Sequence, residues 1–204
     1  MLNFLSDTPA EAAVAIFYLV YMVTLYGLLL GFLVVNYVLT GKSLSAIARR
    51  RGIEKPWLAW VPIGSDWLLG CISDQYRYVT FGEETNRRGK LLRRSILVGV
   101  TVLLEFLLII ALIILSEFAF SDEVAFMLIM LMLLVVYGMV AVLVVYQVLF
   151  HKCLFDLYRS CAPDKSLVFL LVGIFASYPI PFFVYLCRNK DLGMPPRQQL
   201  PETE

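Results

Sequence analysis

The chain has 204 residues, of which 60% are hydrophobic and 16% charged, with a net charge of +1 and a mean hydropathy of +0.80. Soluble domains average about 45–50% apolar and 25% charged residues, so this composition excludes an ordinary soluble protein. It predicts an all-α integral membrane protein, and a chain this deeply buried in a membrane also argues against nucleic-acid binding.

Three apolar runs are long enough to cross a bilayer core, which needs roughly 20 apolar residues at 1.5 Å each. They cover about residues 12–39, 95–115 and 124–150. The amino terminus has no Lys or Arg and so lacks the basic region of a signal peptide, and we expect the first run to be retained. The sequence therefore predicts three full transmembrane helices within one domain over residues 1–194, followed by a disordered cytoplasmic tail at 195–204.

Basic residues are concentrated in the segments that flank these runs. Arg49, Arg50 and Arg51 follow the first run, and Arg87 and Arg88 precede the second, whereas the loop SEFAFSDEV has no Lys or Arg. Because basic segments favour the cytoplasm, we predict a plasma-membrane protein with its amino terminus outside and its carboxyl terminus in the cytoplasm. These five arginines are predicted to face the anionic lipid headgroups of the inner leaflet.

The stretch KPWLAWVPIGSDWLLGCISD is apolar but interrupted. Its apolar core, about residues 57–72, would cover only about 24 Å as a helix, which is short of the roughly 30 Å hydrocarbon core. Pro62 removes a backbone donor and Gly64 loosens the chain, so a break is expected near 61–64. We predict a re-entrant or interfacial helical segment on the cytoplasmic side.

A second interrupted stretch covers about residues 166–187, where Pro179 and Pro181 occupy the place of the earlier break. It is long enough to cross fully, but a crossing would place the basic residues that follow it outside, so a segment that dips and returns is favoured. Each interrupted stretch follows a span and a basic connector. This order suggests an internal repeat.

Three blocks of sequence resemble a family of small, uncharacterised polytopic membrane proteins of Gram-positive bacteria. The blocks are RRGIEKPWLAWVPIGSDWLLGCISDQY, LYRSCAPDKS and CRNKDLGMPPR, and the resemblance covers about residues 45–80 and 155–197. It implies a bacterial multi-pass membrane protein and carries no activity with it.

Glu105 is the most unusual polar residue, because it lies about ten residues into its span and so roughly 15 Å deep, near the midplane. A carboxylate at this depth is costly unless it is neutralised, paired or exposed to water. It is interpreted as a proton or cation site, as a polar contact with a partner helix, or as a protonated structural residue bonded to a neighbouring span. Its candidate partners are Tyr26, Tyr137, Ser65 and Asp66. Ser65 and Asp66 follow the first break, where they would cap a new helix or line a solute or ion site.

No catalytic residue, metal site or cofactor is predicted, because neither a zinc-like cysteine spacing nor a Gly-rich phosphate loop or hydrolase signature occurs. The alternating segment QYRYVTFGEETN predicts a small surface hairpin.

We expect a non-enzymatic membrane subunit or scaffold, with a membrane-protein partner or homo-oligomerisation as its mode of action. Gly27 and Gly31 have the G-x-x-x-G spacing of close helix packing, within the chain or between chains. The alternative is a small transporter or channel component that uses the broken helices and Glu105.

Overall fold

The computed structural model describes residues 9–116 and 122–194. Within these ranges all regular structure is helical, and no strand is present. The helices are α1 (Pro9–Arg50), α2 (Pro62–Phe81), α3 (Arg87–Ser116), α4 (Asp122–Cys161), α5 (Ser166–Phe175) and α6 (Ile180–Cys187), with short 3₁₀ turns at Pro56–Trp60 and Pro163–Lys165. The all-α class is thus confirmed, while the predicted tail at 195–204 lies outside the described residues.

Helices α1, α3 and α4 contain the predicted spans, and each is long and apolar enough to cross a membrane. This confirms a multi-pass membrane protein. The helices continue past the apolar runs: α1 and α4 end about 16 Å, and α3 begins about 12 Å, beyond the limits that hydropathy predicts. The three helices therefore extend beyond their apolar runs at the same, basic end.

The hydrophobic core lies at these extended ends rather than between the apolar spans. Burial of each large apolar side chain there contributes roughly 1.5–3 kcal/mol. The largest fully buried apolar residues are Ile47, Leu68, Ile72, Leu91, Leu154, Leu157 and Tyr158. We call residues 41–94 and 146–194, which contribute this core, the basal domain.

The outer half of α1 stands apart from the other spans. Among the described residues, α1 packs on α2, α6 and the Pro56–Trp60 turn, but none of its Cα atoms lies within 8 Å of one in α3 or α4, which pack on each other. Most of its large apolar side chains between Val14 and Val35 are exposed. A Cβ atom placed on Gly27 or Gly31 would meet nothing within 4 Å. The predicted close packing of these glycines therefore does not occur within the described part of this chain.

After α1 the chain turns back along it and then reverses again. The Tyr37 hydroxyl donates to the Trp60 carbonyl oxygen, and the Trp60 ring covers Gly41, where a Cβ would lie 2.9 Å from the ring. Helix α2 then runs back, so that the Gln75 amide donates to the Arg51 carbonyl oxygen at 3.1 Å. The first interrupted stretch thus reaches the level of Tyr37 and returns.

The change of direction falls at Val61, whose backbone is extended with φ −105° and ψ 125°. Pro62 begins α2, where the missing N–H costs nothing because the first helical donors have no partner in any case. Gly64 lies in the first turn, and a Cβ there would be 2.6 Å from the Leu58 carbonyl oxygen. The helix continues to Phe81, so the predicted surface hairpin is wrong.

The second interrupted stretch begins and ends beside the same turn of α4. Ser166 starts α5 just after α4 ends at Cys161, and the Leu192 and Gly193 N–H groups donate to the Cys161 and Ser160 carbonyl oxygens at 3.4 and 3.1 Å. Between these points α5 and α6 form two arms.

The connection between the two arms contains the proline-rich sequence. Helix α5 ends at Phe175, and α6 begins at Ile180 directly after Pro179. Pro181 occupies the first turn of α6, where a proline removes no helical hydrogen bond. Both prolines therefore mark the start of the returning arm.

Candidate functional site in the basal domain

Asp156 of α4 is the centre of a buried polar cluster. Its side chain is only 5% exposed, and Oδ2 accepts hydrogen bonds from Ser73 Oγ at 2.7 Å, Arg77 Nε at 3.1 Å and Arg87 Nη1 at 2.6 Å. A buried carboxylate is tolerated when charged donors surround it. Asp156 therefore joins α2, α3 and α4 through one shared counter-charge.

Asp74 fixes the start of α3 beside this cluster. Its carboxylate accepts hydrogen bonds from the Arg87 and Arg88 backbone N–H groups at 2.9 and 3.1 Å and from Thr85 Oγ1 at 2.6 Å. The first N–H groups of a helix have no intrahelical acceptor. Asp74 supplies that acceptor from α2, so the α2–α3 connection has a defined geometry.

A second ion-pair cluster holds the end of α6 against α1 and α4. Arg51 binds Asp191 through Nη2 at 2.6 Å and Nε at 3.0 Å, and Nη2 also donates to Ser160 Oγ at 2.9 Å. Arg50 pairs with the same carboxylate and donates to the Arg188 carbonyl oxygen at 2.7 Å. These bonds tie the returning arm to the ends of both long helices.

The arginines that charge bias assigns to lipid headgroups are divided between two environments. Arg49 and Arg88 have exposed side chains, whereas Arg51 is buried on Asp191 and Arg87 is directed at Asp156. Arg50, half-buried, shares Asp191 with Arg51. Arg51 and Arg87 thus face protein carboxylates instead of lipid, because a buried carboxylate needs a charged partner.

Ser65 and Asp66, the polar residues at the first interruption, do not cap α2. The N-cap of α2 is Val61, and no side chain caps it, so the capping prediction is wrong. Ser65 donates to the Pro62 carbonyl oxygen at 2.6 Å, and Asp66 accepts a hydrogen bond from the Tyr146 hydroxyl of α4 at 2.9 Å. Asp66 thereby joins α2 to α4.

The environment of Asp66 favours its protonated form. Burial raises the pKa of the Asp66 carboxyl above its ordinary value, and hydrogen bonds from Ser95 and Tyr146 offset part of that rise. Because the charged form is disfavoured in the folded state, the stability that this residue contributes is greatest at acidic pH and declines as the pH rises through its folded-state pKa.

Glu105 is buried in α3, with 8% of its surface exposed. Its Oε2 atom is shielded from solvent and has no hydrogen-bond partner among the described residues. Tyr26 and Tyr137 are largely exposed, and no hydrogen bond between described residues joins Glu105 to Ser65 or Asp66. The three residues of the predicted intramembrane site therefore do not form one connected group.

The four cysteines are free and buried. Burial raises the pKa of the Cys71 thiol to about 11, so this thiol is protonated and unreactive near neutral pH. The described part of the chain contains no group of His, Cys, Asp and Glu side chains that could hold a metal ion. The ion pairs and hydrogen bonds described above join the ends of the helices to one another.

Asp191 and Ser73 belong to this site but have no distinguishing motif in the sequence. Asp156 has one local signal, because it interrupts an apolar helical pattern in LFDLY and a buried carboxylate needs a partner.

Comparisons of the chain with protein-family models, with curated proteins and with solved structures find no match.

Proposed function

We propose that this chain is a non-enzymatic membrane subunit or scaffold. Its basal domain fixes three transmembrane helices at the cytoplasmic face, and its first span presents a surface to another membrane protein or to a second copy. The observation that carries this proposal is the exposed outer half of α1, where no described Cα atom lies within 8 Å of α3 or α4, whereas the base of the helix is bonded to the basal domain.

The base of α1 is held by specific bonds on two sides. Tyr37 bonds to Trp60, and Arg51 is paired with Asp191 at the end of the helix. A helix anchored in this way presents one fixed face to its surroundings. Lipid alone satisfies an apolar helix, but Gly27 and Gly31 leave room for the backbone of another helix to approach closely.

The proposal includes a topology with both interrupted stretches on the cytoplasmic side of a bacterial plasma membrane and the amino terminus outside. Two observations support it. The Pro56–Trp60 turn reaches only to Tyr37, near the inner end of the first span, which suits tryptophan at the headgroup level. The α5–α6 stretch returns to the end of α4.

Replacing Gly27 and Gly31 together by Leu is expected to reduce the co-purifying partner, or the dimer fraction, by about tenfold or more. Each Leu side chain would hold the two helix backbones apart and remove the close contact that drives association in lipid. The measurement is purification in mild detergent from native membranes, followed by quantitative mass spectrometry and determination of the oligomeric state by light scattering.

The matched control replaces Leu29 and Leu33 by Phe, because these residues add bulk to the opposite side of the same helix. The control should keep its partner. Thermal unfolding of the basal domain should be unchanged in both variants. Full retention of partner by the glycine variant, or equal loss in both variants, would contradict association through this face.

A small transport or channel component is the second candidate function, and Glu105 is the observation that favours it. A buried carboxylate with an unpartnered oxygen near mid-membrane is typical of proton and cation pathways.

Glu105→Gln is expected to abolish proton- or cation-dependent flux in proteoliposomes while the fold is kept, because Gln cannot release a proton. Glu123→Gln, an exposed residue at the start of α4, is the control. Unchanged flux in the Glu105 variant would show that this carboxyl group takes no part in transport and has a structural role only.

A further inference from the structure

A cleft of about 600 Å³ lies between α4 and α5, outside the ion-pair clusters of the basal domain. Its volume falls within the range of about 300–1,000 Å³ that is usual for small-molecule sites. Val140, Val144 and Val148 line it from α4, and Leu170 and Ile174 line it from α5. The walls at this end offer apolar surface to an occupant.

The character of the cleft changes along α4 from apolar to basic. Val140, Val144, Val148 and Lys152 follow one another at intervals of four residues and so form one stripe along the helix. The stripe is about 18 Å long. Its apolar part lies within the third predicted span and its basic end lies at the inner boundary of that span, so the cleft runs from the hydrocarbon region to the headgroup region.

Lys152 and His151 form the basic end of the cleft. The exposed side chain of Lys152 has no ion-pair partner in residues 9–116 and 122–194. His151 places Nδ1 2.8 Å from the Gln147 carbonyl oxygen, whereas its Nε2 is shielded from solvent and has no hydrogen-bond partner among the described residues. The cleft therefore presents one cationic donor, the Lys152 ammonium group, beside an apolar wall.

We propose that this cleft binds one anionic phospholipid of the inner leaflet. The acyl chain lies between α4 and α5 along the valine stripe, and the phosphate binds the Lys152 ammonium group at the basic end. An acyl chain suits the apolar walls because it brings no hydrogen-bonding group that needs a partner. Basic pockets between helices at the cytoplasmic side select anionic headgroups. This site is independent of the association face on α1.

The test uses the full chain in nanodiscs that contain equal amounts of phosphatidylglycerol and phosphatidylcholine. Native mass spectrometry of the released protein is expected to show one retained lipid, with phosphatidylglycerol in excess. Lys152→Gln is expected to lower that excess about fivefold, the effect of removing one cation beside an anionic headgroup. Lys42→Gln, which removes an exposed lysine of α1 outside the cleft, is expected to leave it unchanged.

A second variant tests the apolar part of the cleft. Ile174→Trp should fill the space between α4 and α5 and reduce retention of both lipids, whereas Leu167→Trp, at a position of α5 that is 60% exposed and outside the cleft, should not. Thermal unfolding shows that each variant is folded. The proposal is overturned if no lipid is retained, if both lipids are retained equally, if the two lysine variants behave alike, or if folded Ile174→Trp retains lipid as the wild type does.

Discussion

Asp156→Asn is expected to lower the free energy of unfolding by about 3 kcal/mol, near the lower end of the roughly 3–5 kcal/mol lost when a buried ion pair loses one partner. The substitution keeps the shape of the side chain but leaves Arg77 and Arg87 without their shared counter-charge. The value lies near the lower end because both arginines retain some access to water and Arg77 also pairs with Glu83.

The measurement is thermal unfolding in mild detergent, followed with a thiol-reactive dye. The dye reports opening of the basal domain directly, because all four cysteines are buried there in the folded protein. Asp164→Asn is the matched control, since it makes the same chemical change at an exposed position in the Pro163–Lys165 turn, and surface substitutions usually stay within about 0.5 kcal/mol. Equal shifts in the two variants would show that the Asp156 cluster does not hold the helices together.

A double-mutant cycle separates the ion pair from other effects of the substitution. Arg87→Met should cost less in the Asp156→Asn background than in the wild type, because the guanidinium that it removes has already lost its partner. A cost that is the same in both backgrounds would mean that Arg87 and Asp156 are not energetically coupled, despite the 2.6 Å distance between Nη1 and Oδ2.

Hydropathy was sufficient to predict the three spans but not the lengths of their helices. The apolar run in α1 ends near residue 39, yet the helix continues to Arg50, because Leu44, Ile47 and Ala48 are buried against the rest of the basal domain. Where a helix ends is determined by the packing of its last turns and not by the end of its apolar run. A four-residue spacing of apolar residues in the polar ends is the local signal for this continuation.

The ion pairs could not be predicted from one sequence, because their partners are far apart along the chain. Asp156 and Arg87 are 69 positions apart, and Asp191 and Arg51 are 140 apart. Clustered arginines give the same cytoplasmic charge bias whether they face lipid or a carboxylate. Charge bias alone therefore predicted headgroup contact for arginines that the fold uses internally.

The internal repeat stays a prediction. The way the helices pack on one another is compatible with it. Each long helix packs on the returning segment that follows the other, α1 on α6 and α4 on α2. A proline begins the 3₁₀ turn after each long helix, at Pro56 and Pro163. An exchange of this kind is expected when two similar units pack around a pseudo-twofold axis, as in membrane proteins built from repeats.

Gly70→Ala is expected to destabilise the basal domain by about 1–3 kcal/mol, although Ala is intrinsically the better helix former by about 1 kcal/mol. A Cβ atom on Gly70 would lie 2.5 Å from Arg88 Cα and 2.8 Å from its backbone nitrogen. Neither atom can rotate away as a side chain could, so α2 and α3 must separate. That separation would also lengthen the hydrogen bonds from the Arg87 and Arg88 N–H groups to Asp74.

Gly99→Ala gives the matched control, because Gly99 lies in α3 and a Cβ there would meet nothing within 4 Å. This variant gains the helix propensity of Ala without a clash, so its unfolding temperature should stay the same or rise. If the unfolding temperature falls for Gly70→Ala but stays the same or rises for Gly99→Ala, the close approach of α2 to α3 contributes to the stability of the basal domain. If both glycine variants shift the unfolding temperature by the same amount in the same direction, α2 can move away from α3 at little cost in free energy. The Asp156 cluster would then hold the two helices together without tight backbone packing.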